Sequence, residues 1–133
     1  MEELEFSELS DVDLPDMRMN VISAVEALSD REYQRRVWIE RDYPSGEYFD
    51  DFTLNVNILY DDTLVLEDPA ATLGLILRSR EEVEAMAQLA SALNELFRGE
   101  GKEKADEEYV ESPLWDVVVR SASVARRIMT GSG

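Results

Sequence analysis

Phe52-Thr53-Leu54-Asn55-Val56-Asn57-Ile58-Leu59-Tyr60 is the stretch on which the fold turns. Alternation along it places Phe52, Leu54, Val56, Ile58 and Tyr60 on one face and Thr53, Asn55 and Asn57 on the other, which is the period of a half-buried strand. Acid pairs bracket it, Asp50-Asp51 in front and Asp61-Asp62 behind. On this basis Asp61-Asp62 is a turn and Thr63-Leu64-Val65-Leu66 the returning strand of a hairpin, ended by Glu67-Asp68-Pro69. The turn has no glycine, so the loop is expected to be wider than two residues. Leu73-Gly74-Leu75-Ile76-Leu77 predicts a further strand, and the β-branched and aromatic Val37-Trp38-Ile39 lean towards an opening one.

Helical signals surround this sheet. Met17, Val21, Ala24, Val25 and Leu28 recur at spacings of three and four, with Asp16 at the cap or first turn. Ser29-Asp30-Arg31-Glu32 has the form of a capping box and predicts a short helix through Arg35 or Arg36. Ser79-Arg80-Glu81-Glu82 repeats that form and opens the longest helix, which is expected to stop near Gly99. Ser112-Pro113 predicts the start of a last helix running to about Met129. The expected fold class is therefore α+β: a single domain with a small antiparallel sheet of three or four strands packed on one face by about four helices. Residues 1–15 read as an acidic, mobile arm whose Leu4, Phe6 and Leu9 also allow it to dock; 16–129 form the domain and 130–133 a flexible tail.

Composition narrows function. Thirty acidic side chains against thirteen basic ones give a net charge of −17 with no histidine. Such a molecule repels phosphate backbones and anionic lipid, so nucleic acid and membranes are excluded as partners and a basic protein is the natural complement. With no cysteine and no histidine, thiolate chemistry, Cys-based zinc sites and the commonest general base near neutral pH are all missing. The first residues lack the basic-then-apolar pattern of an export signal, and no apolar run approaches the length of a membrane span, so a cytoplasmic location is expected. No metal, cofactor or catalytic residue is expected. A strand between the two acid pairs would hold them roughly 30 Å apart, too far to share an ion, and their spacing fails the calcium-loop pattern.

The segment 40–68 holds nine acids and a single Arg41. Tyr43 and Tyr48 flank its Pro44-Ser45-Gly46 turn, and rings mixed with carboxylates suit a surface that grips a basic protein. The partner-binding set read from this segment is Tyr43, Glu47, Tyr48, Asp50 and Asp51 in the lead-in, Asn55 and Asn57 on the open strand face, and Asp61 and Asp62 beyond it. Arg31, Arg35 and Arg36 form a basic knot, expected to pair with internal carboxylates and offering, as the alternative, an anion site.

At Met19-Asn20-Val21-Ile22, Gln34-Arg35-Arg36-Val37-Trp38, Asp50 through Asp62 and Glu67-Asp68-Pro69, the chain resembles a family of small acidic actinobacterial proteins without assigned function. That resemblance carries no activity or cofactor. In type alone the chain is also similar to toxin-immunity proteins and other protein inhibitors. The expected function is thus a non-enzymatic acidic protein that neutralises or regulates a basic partner, a toxin or nuclease. The alternatives are a small-molecule-binding or enzymatic domain with a pocket on the Asn55/Asn57 sheet face, and a DNA mimic.

Overall fold

The computed structural model describes residues 12–131, and among them there is no strand and no sheet, only one isolated bridge between Leu73 and Leu77. The α+β expectation is therefore corrected to an all-helical domain. The acidic arm expected over residues 1–15 lies, through residue 11, outside the described residues, as do the last two residues of the tail.

Helix α1 (Pro15–Ser29) starts with proline at its first position, where the missing N–H costs nothing, and buries Val21, Ala24, Val25 and Leu28. Helix α2 (Arg31–Tyr33) is capped by Asp30, whose side chain accepts the Tyr33 N–H at 3.0 Å. It runs on as a π-helical segment (Gln34–Ile39), closed by the Glu40 N–H bonding to the Arg35 carbonyl five residues back at 2.9 Å. Residues 37–39 therefore end a helix and do not open a strand.

The 52–60 stretch winds as helix α3 (Phe52–Asn57) and continues as a second π segment (Ile58–Asp62). Asp51 decides this locally, because its Oδ1 accepts the Leu54 N–H at 2.8 Å, the bond of an N-cap. The buried positions are then Phe52, Asn55 and Leu59, with Val56 half-buried, at spacings of three and four, while Leu54 of the supposed strand face is exposed. Phe52, Val56 and Leu59 satisfy the helical period as well as Phe52, Val56 and Ile58 satisfy the strand period. The cap and the core settle the choice. Thr63 ends the run by bonding the Ile58 carbonyl through both its N–H (3.0 Å) and its hydroxyl (2.7 Å). The Leu66 N–H then returns to the Leu59 carbonyl at 3.0 Å, so 63–66 folds back as a turn against the same helix.

A 3-10 turn (Pro69–Thr72) leads into 73–77, where the Ile76 and Leu77 N–H groups both bond the Thr72 carbonyl and Gly74, at φ +89°, makes the tight loop that replaces the third strand. Helix α4 (Arg80–Glu100) begins where its capping box predicts, with Ser79 Oγ accepting the Glu82 N–H at 3.2 Å. It passes through Gly99 and ends at Gly101, whose φ of +88° suits only glycine and whose N–H closes on the Phe97 carbonyl. Helix α5 (Asp106–Val110) precedes α6 (Trp115–Thr130), which stops at the left-handed Gly131.

Helix α6 packs against both α1 and α4, the two most extensive contacts of the fold. Trp115, fully buried, stands edge-on to Phe52 at 5.2 Å and to Trp38 at 6.1 Å, and Tyr109 and Phe97 complete the ring cluster around Phe52. Two polar knots hold this core in register. Buried Gln34 donates to the Ala27 and Leu28 carbonyls at 2.8 and 2.9 Å and accepts from Trp115 Nε1 at 3.0 Å, satisfying the last-turn carbonyls of α1 with a side chain. Arg18 forks onto both Glu82 oxygens at 2.8 Å and also donates to the Ile76 and Met129 carbonyls, while Glu82 Oε1 accepts the Arg78 N–H. No buried side-chain polar atom among the described residues is left without a partner.

Candidate functional site

The acidic lead-in, residues 40–51, crosses the surface between the first π segment and α3, and a single carboxylate pins it down. Asp50 is buried; its Oδ2 accepts from the Tyr33 hydroxyl at 2.7 Å and from Trp38 Nε1 at 3.0 Å, and its Oδ1 accepts from Asn55 Nδ2 at 2.9 Å. Asn55 also donates to the Asp51 carbonyl at 2.8 Å. Three charge-assisted bonds from α2, its π extension and α3 converge on one side chain, which makes Asp50 the foot of the loop. Tyr33 in turn bonds the Tyr48 hydroxyl, and burial, the Tyr48 contact and the neighbouring Asp50 carboxylate all push its phenol pKa upward, so it stays protonated.

Above that foot Tyr48 and Phe49 are exposed and Tyr43 is half-buried behind them. Tyr43 packs against Tyr48 at 6.1 Å and Phe49 at 6.0 Å; Phe49 is 57% exposed and Tyr48 38%. Beside them opens a cleft of about 830 Å³ that crosses α1 at Glu26 and the α1–α2 junction at Asp30, reaches Asn55 of α3 and Ile58 of the second π segment, and extends to Val119 and Arg126 of α6.

The residues expected at the site separate into two groups. Tyr43, Glu47 and Tyr48 stand together on the lead-in, with Asp50 directly beneath them. Asp51 caps α3. Asn55 and Asn57 do not share a face, since two residues are about 200° apart on a helix: Asn55 is buried beneath Asp50, and Asn57 is exposed and lines a second groove with Asp61. Asp62 is exposed at the end of the π segment. The distance between the acid pairs also needs correcting, because eleven helical residues span about 16 Å, not the roughly 30 Å of a strand. Among the described residues no group of three or more carboxylates is placed to hold a metal ion.

The basic knot is divided among internal partners. Arg31 pairs with Asp116 at 3.2 Å, Arg35 lies between Glu32 and Glu40, and Arg36 sits over the Tyr33 ring at 5.9 Å. The three guanidinium groups are thus drawn to separate partners. Phe49 is the residue that sequence reasoning passed over: it follows Tyr48 in the same segment, but only the fold shows that it is the most exposed ring of the three.

A family model described as a domain of unknown function, DUF7945, matches residues 12–132. The chain belongs to the DUF7945 family. The match spans every described helix of this DUF7945 domain, including the lead-in and both grooves. No curated protein and no solved structure matches the chain. Among the described residues no helix is long and apolar enough to cross a membrane.

Proposed function

We propose that this domain is a non-enzymatic binding protein whose surface at 42–51 grips a basic protein partner, in the manner of an immunity-type inhibitor of a cytoplasmic toxin or nuclease. The observation that carries this reading is the exposed Tyr48 and Phe49, backed by the half-buried Tyr43 and held by the Asp50 foot within the acidic segment 40–68 of a chain of net charge −17. Rigid rings supply contact area at small entropic cost and take Lys or Arg heads on their faces, while Asp42, Glu47, Glu26 and Asp30 attract and orient such heads. The hydrogen bonds of Asp50 pre-order the loop, so little ordering cost falls on association.

The test is retention of cationic proteins from the native lysate at low salt, followed by titration of each purified candidate against wild type, Phe49→Ala and Asp42→Lys/Glu47→Lys. A true partner loses about 30-fold affinity with Phe49→Ala, corresponding to a hot spot of about 2 kcal/mol. The charge-reversed variant flattens the salt dependence of association. Binding indifferent to salt and to both variants would remove the proposal.

A further inference from the structure

A second groove, of about 640 Å³, lies on another side of the molecule between the α3 run and α4. Its accessible wall is the half-buried Phe97, Tyr60 and Val56, with the Tyr60 hydroxyl 3.5 Å from Asn94 Oδ1, while the core rings Phe52 and Tyr109 stand behind it, each 5.9 Å from Phe97. Its rim is basic at one end. Lys102 and Lys104, the only two lysines of the chain, stand there with Arg98, beside Tyr109, whose hydroxyl accepts the Lys104 N–H. Asp61 lies nine residues along the helical run from Phe52, about 13 Å away, so the groove is polarised along its length. Arg98 and Lys104 each pair with an exposed or half-exposed glutamate of α4, at 2.6 and 3.3 Å. Exposed pairs of this kind are worth under about 1 kcal/mol and yield to a better anion. Lys102 has no ion pair among the described residues.

We infer that this groove is a binding site for a small amphiphile: a flat apolar body of ring size against Phe97, Tyr60 and Val56, and an anionic head (carboxylate, sulfonate or phosphate) at Lys102, Lys104 and Arg98. Charge complementarity selects this occupant. In a chain of net charge −17, three of the thirteen basic side chains, both lysines among them, border one groove with an apolar wall. Cationic ligands are drawn instead to the rest of the surface, and a purely apolar ligand leaves the rim unused. The site is separate from the lead-in and does not depend on the binding role proposed for it.

The probe is 1-anilinonaphthalene-8-sulfonate, with the uncharged N-phenyl-1-naphthylamine as its twin, titrated into the full chain and followed by fluorescence and amide chemical shifts. One saturable site is expected, with shifts at Thr53, Asn57, Asn94 and 102–104. Lys102→Glu/Lys104→Glu weakens the sulfonate by about tenfold or more and leaves the neutral twin within about twofold, as loss of two charge-assisted contacts requires. Thr53→Trp, an exposed position lining the groove, blocks both probes while thermal unfolding stays as in wild type. Absence of saturable binding, shifts centred on the exposed Leu73 and Leu75 or on the α6 surface, or equal weakening of both probes by the charge reversal would each overturn the inference.

Discussion

At the scale of single residues, two buried side chains carry most of what the surface depends on. Asp50→Asn places an amide donor where the structure needs an acceptor for Tyr33, Trp38 and Asn55. The expected loss is about 2 kcal/mol, from unmet donors and the lost charge assistance, read as a lower urea midpoint at unchanged slope. Amides of 42–50 would then exchange faster than the rest of the domain. Arg18 and Glu82 pose a sharper case. Removing one partner, as in Arg18→Met, strands a buried charge and is expected to cost about 3–5 kcal/mol, whereas Arg18→Met/Glu82→Leu recovers much of it by replacing the pair with apolar bulk. Recovery will be incomplete, because Arg18 also satisfies the Ile76 and Met129 carbonyls. A double variant no more stable than the single would show that those carbonyls, together with the Arg78 N–H that loses its Glu82 acceptor, set the cost in place of the ion pair.

At the scale of elements, the start of α3 is held from two directions. Asp51 caps it from within, and Asp106 of α5 accepts the Phe52 N–H at 3.1 Å from across the fold. Burial first, then the nearby Asp51 and Asp50 carboxylates, raise the Asp106 pKa, opposed by the Phe52 N–H and Arg41. A carboxyl whose folded pKa lies above its unfolded one holds its proton in the native state at pH values where the unfolded chain has released it. The stability it contributes is full below the ordinary carboxylate range and falls as pH rises through the elevated value. Asp106→Asn keeps an acceptor for Phe52 without the charge, so it is expected to match or exceed wild type near neutral pH and to lose this fall. Asp106→Ala removes the acceptor as well, so it should lie about 1 kcal/mol below Asp106→Asn at every pH. Denaturant titrations at several pH values distinguish the two variants.

The same elements show what could be read from the sequence. α1, α4 and α6 each carry enough apolar positions at helical spacing, and α4 so clear a capping box, that their periods have one solution. Residues 52–60 have two, and the difference rests on Asn55: a strand turns it outward, the helix buries it as a donor to Asp50. No local pattern states that an asparagine has a partner waiting. The 73–77 run fails for another reason, since tight backbone bonds to Thr72 and a positive-φ glycine replace the ladder that its apolar residues suggest. Tyr43 and Tyr48 in an acidic segment were legible as a surface; the foot beneath them and the exposure of Phe49 were not, because both come from contacts with residues up to 17 positions away.

Scaled to the whole molecule, the charge of −17 acts on folding and on association with opposite sign. Self-repulsion among thirty carboxylates disfavours the compact state, and the described ion pairs offset it only locally, most of them being exposed. Raising ionic strength from about 0.01 M to about 0.15 M shortens the Debye length from about 30 Å to about 8 Å, well inside the dimensions of the domain. Long-range repulsion is then screened while the buried Arg18–Glu82 fork is scarcely touched. Thermal stability should therefore rise with salt, by several degrees if the gain is about 1–2 kcal/mol. A cationic partner at the lead-in should meanwhile associate more slowly, since screening removes the steering that brings it there. The anionic probe at the Lys102/Lys104 rim gives a third response: low salt exposes it to repulsion from the whole molecule, so its association rate should rise as salt is added, until screening of the rim itself takes over. Tm falling with salt would mean that exposed ion pairs outweigh the net repulsion, and that the acidity is already balanced within the fold.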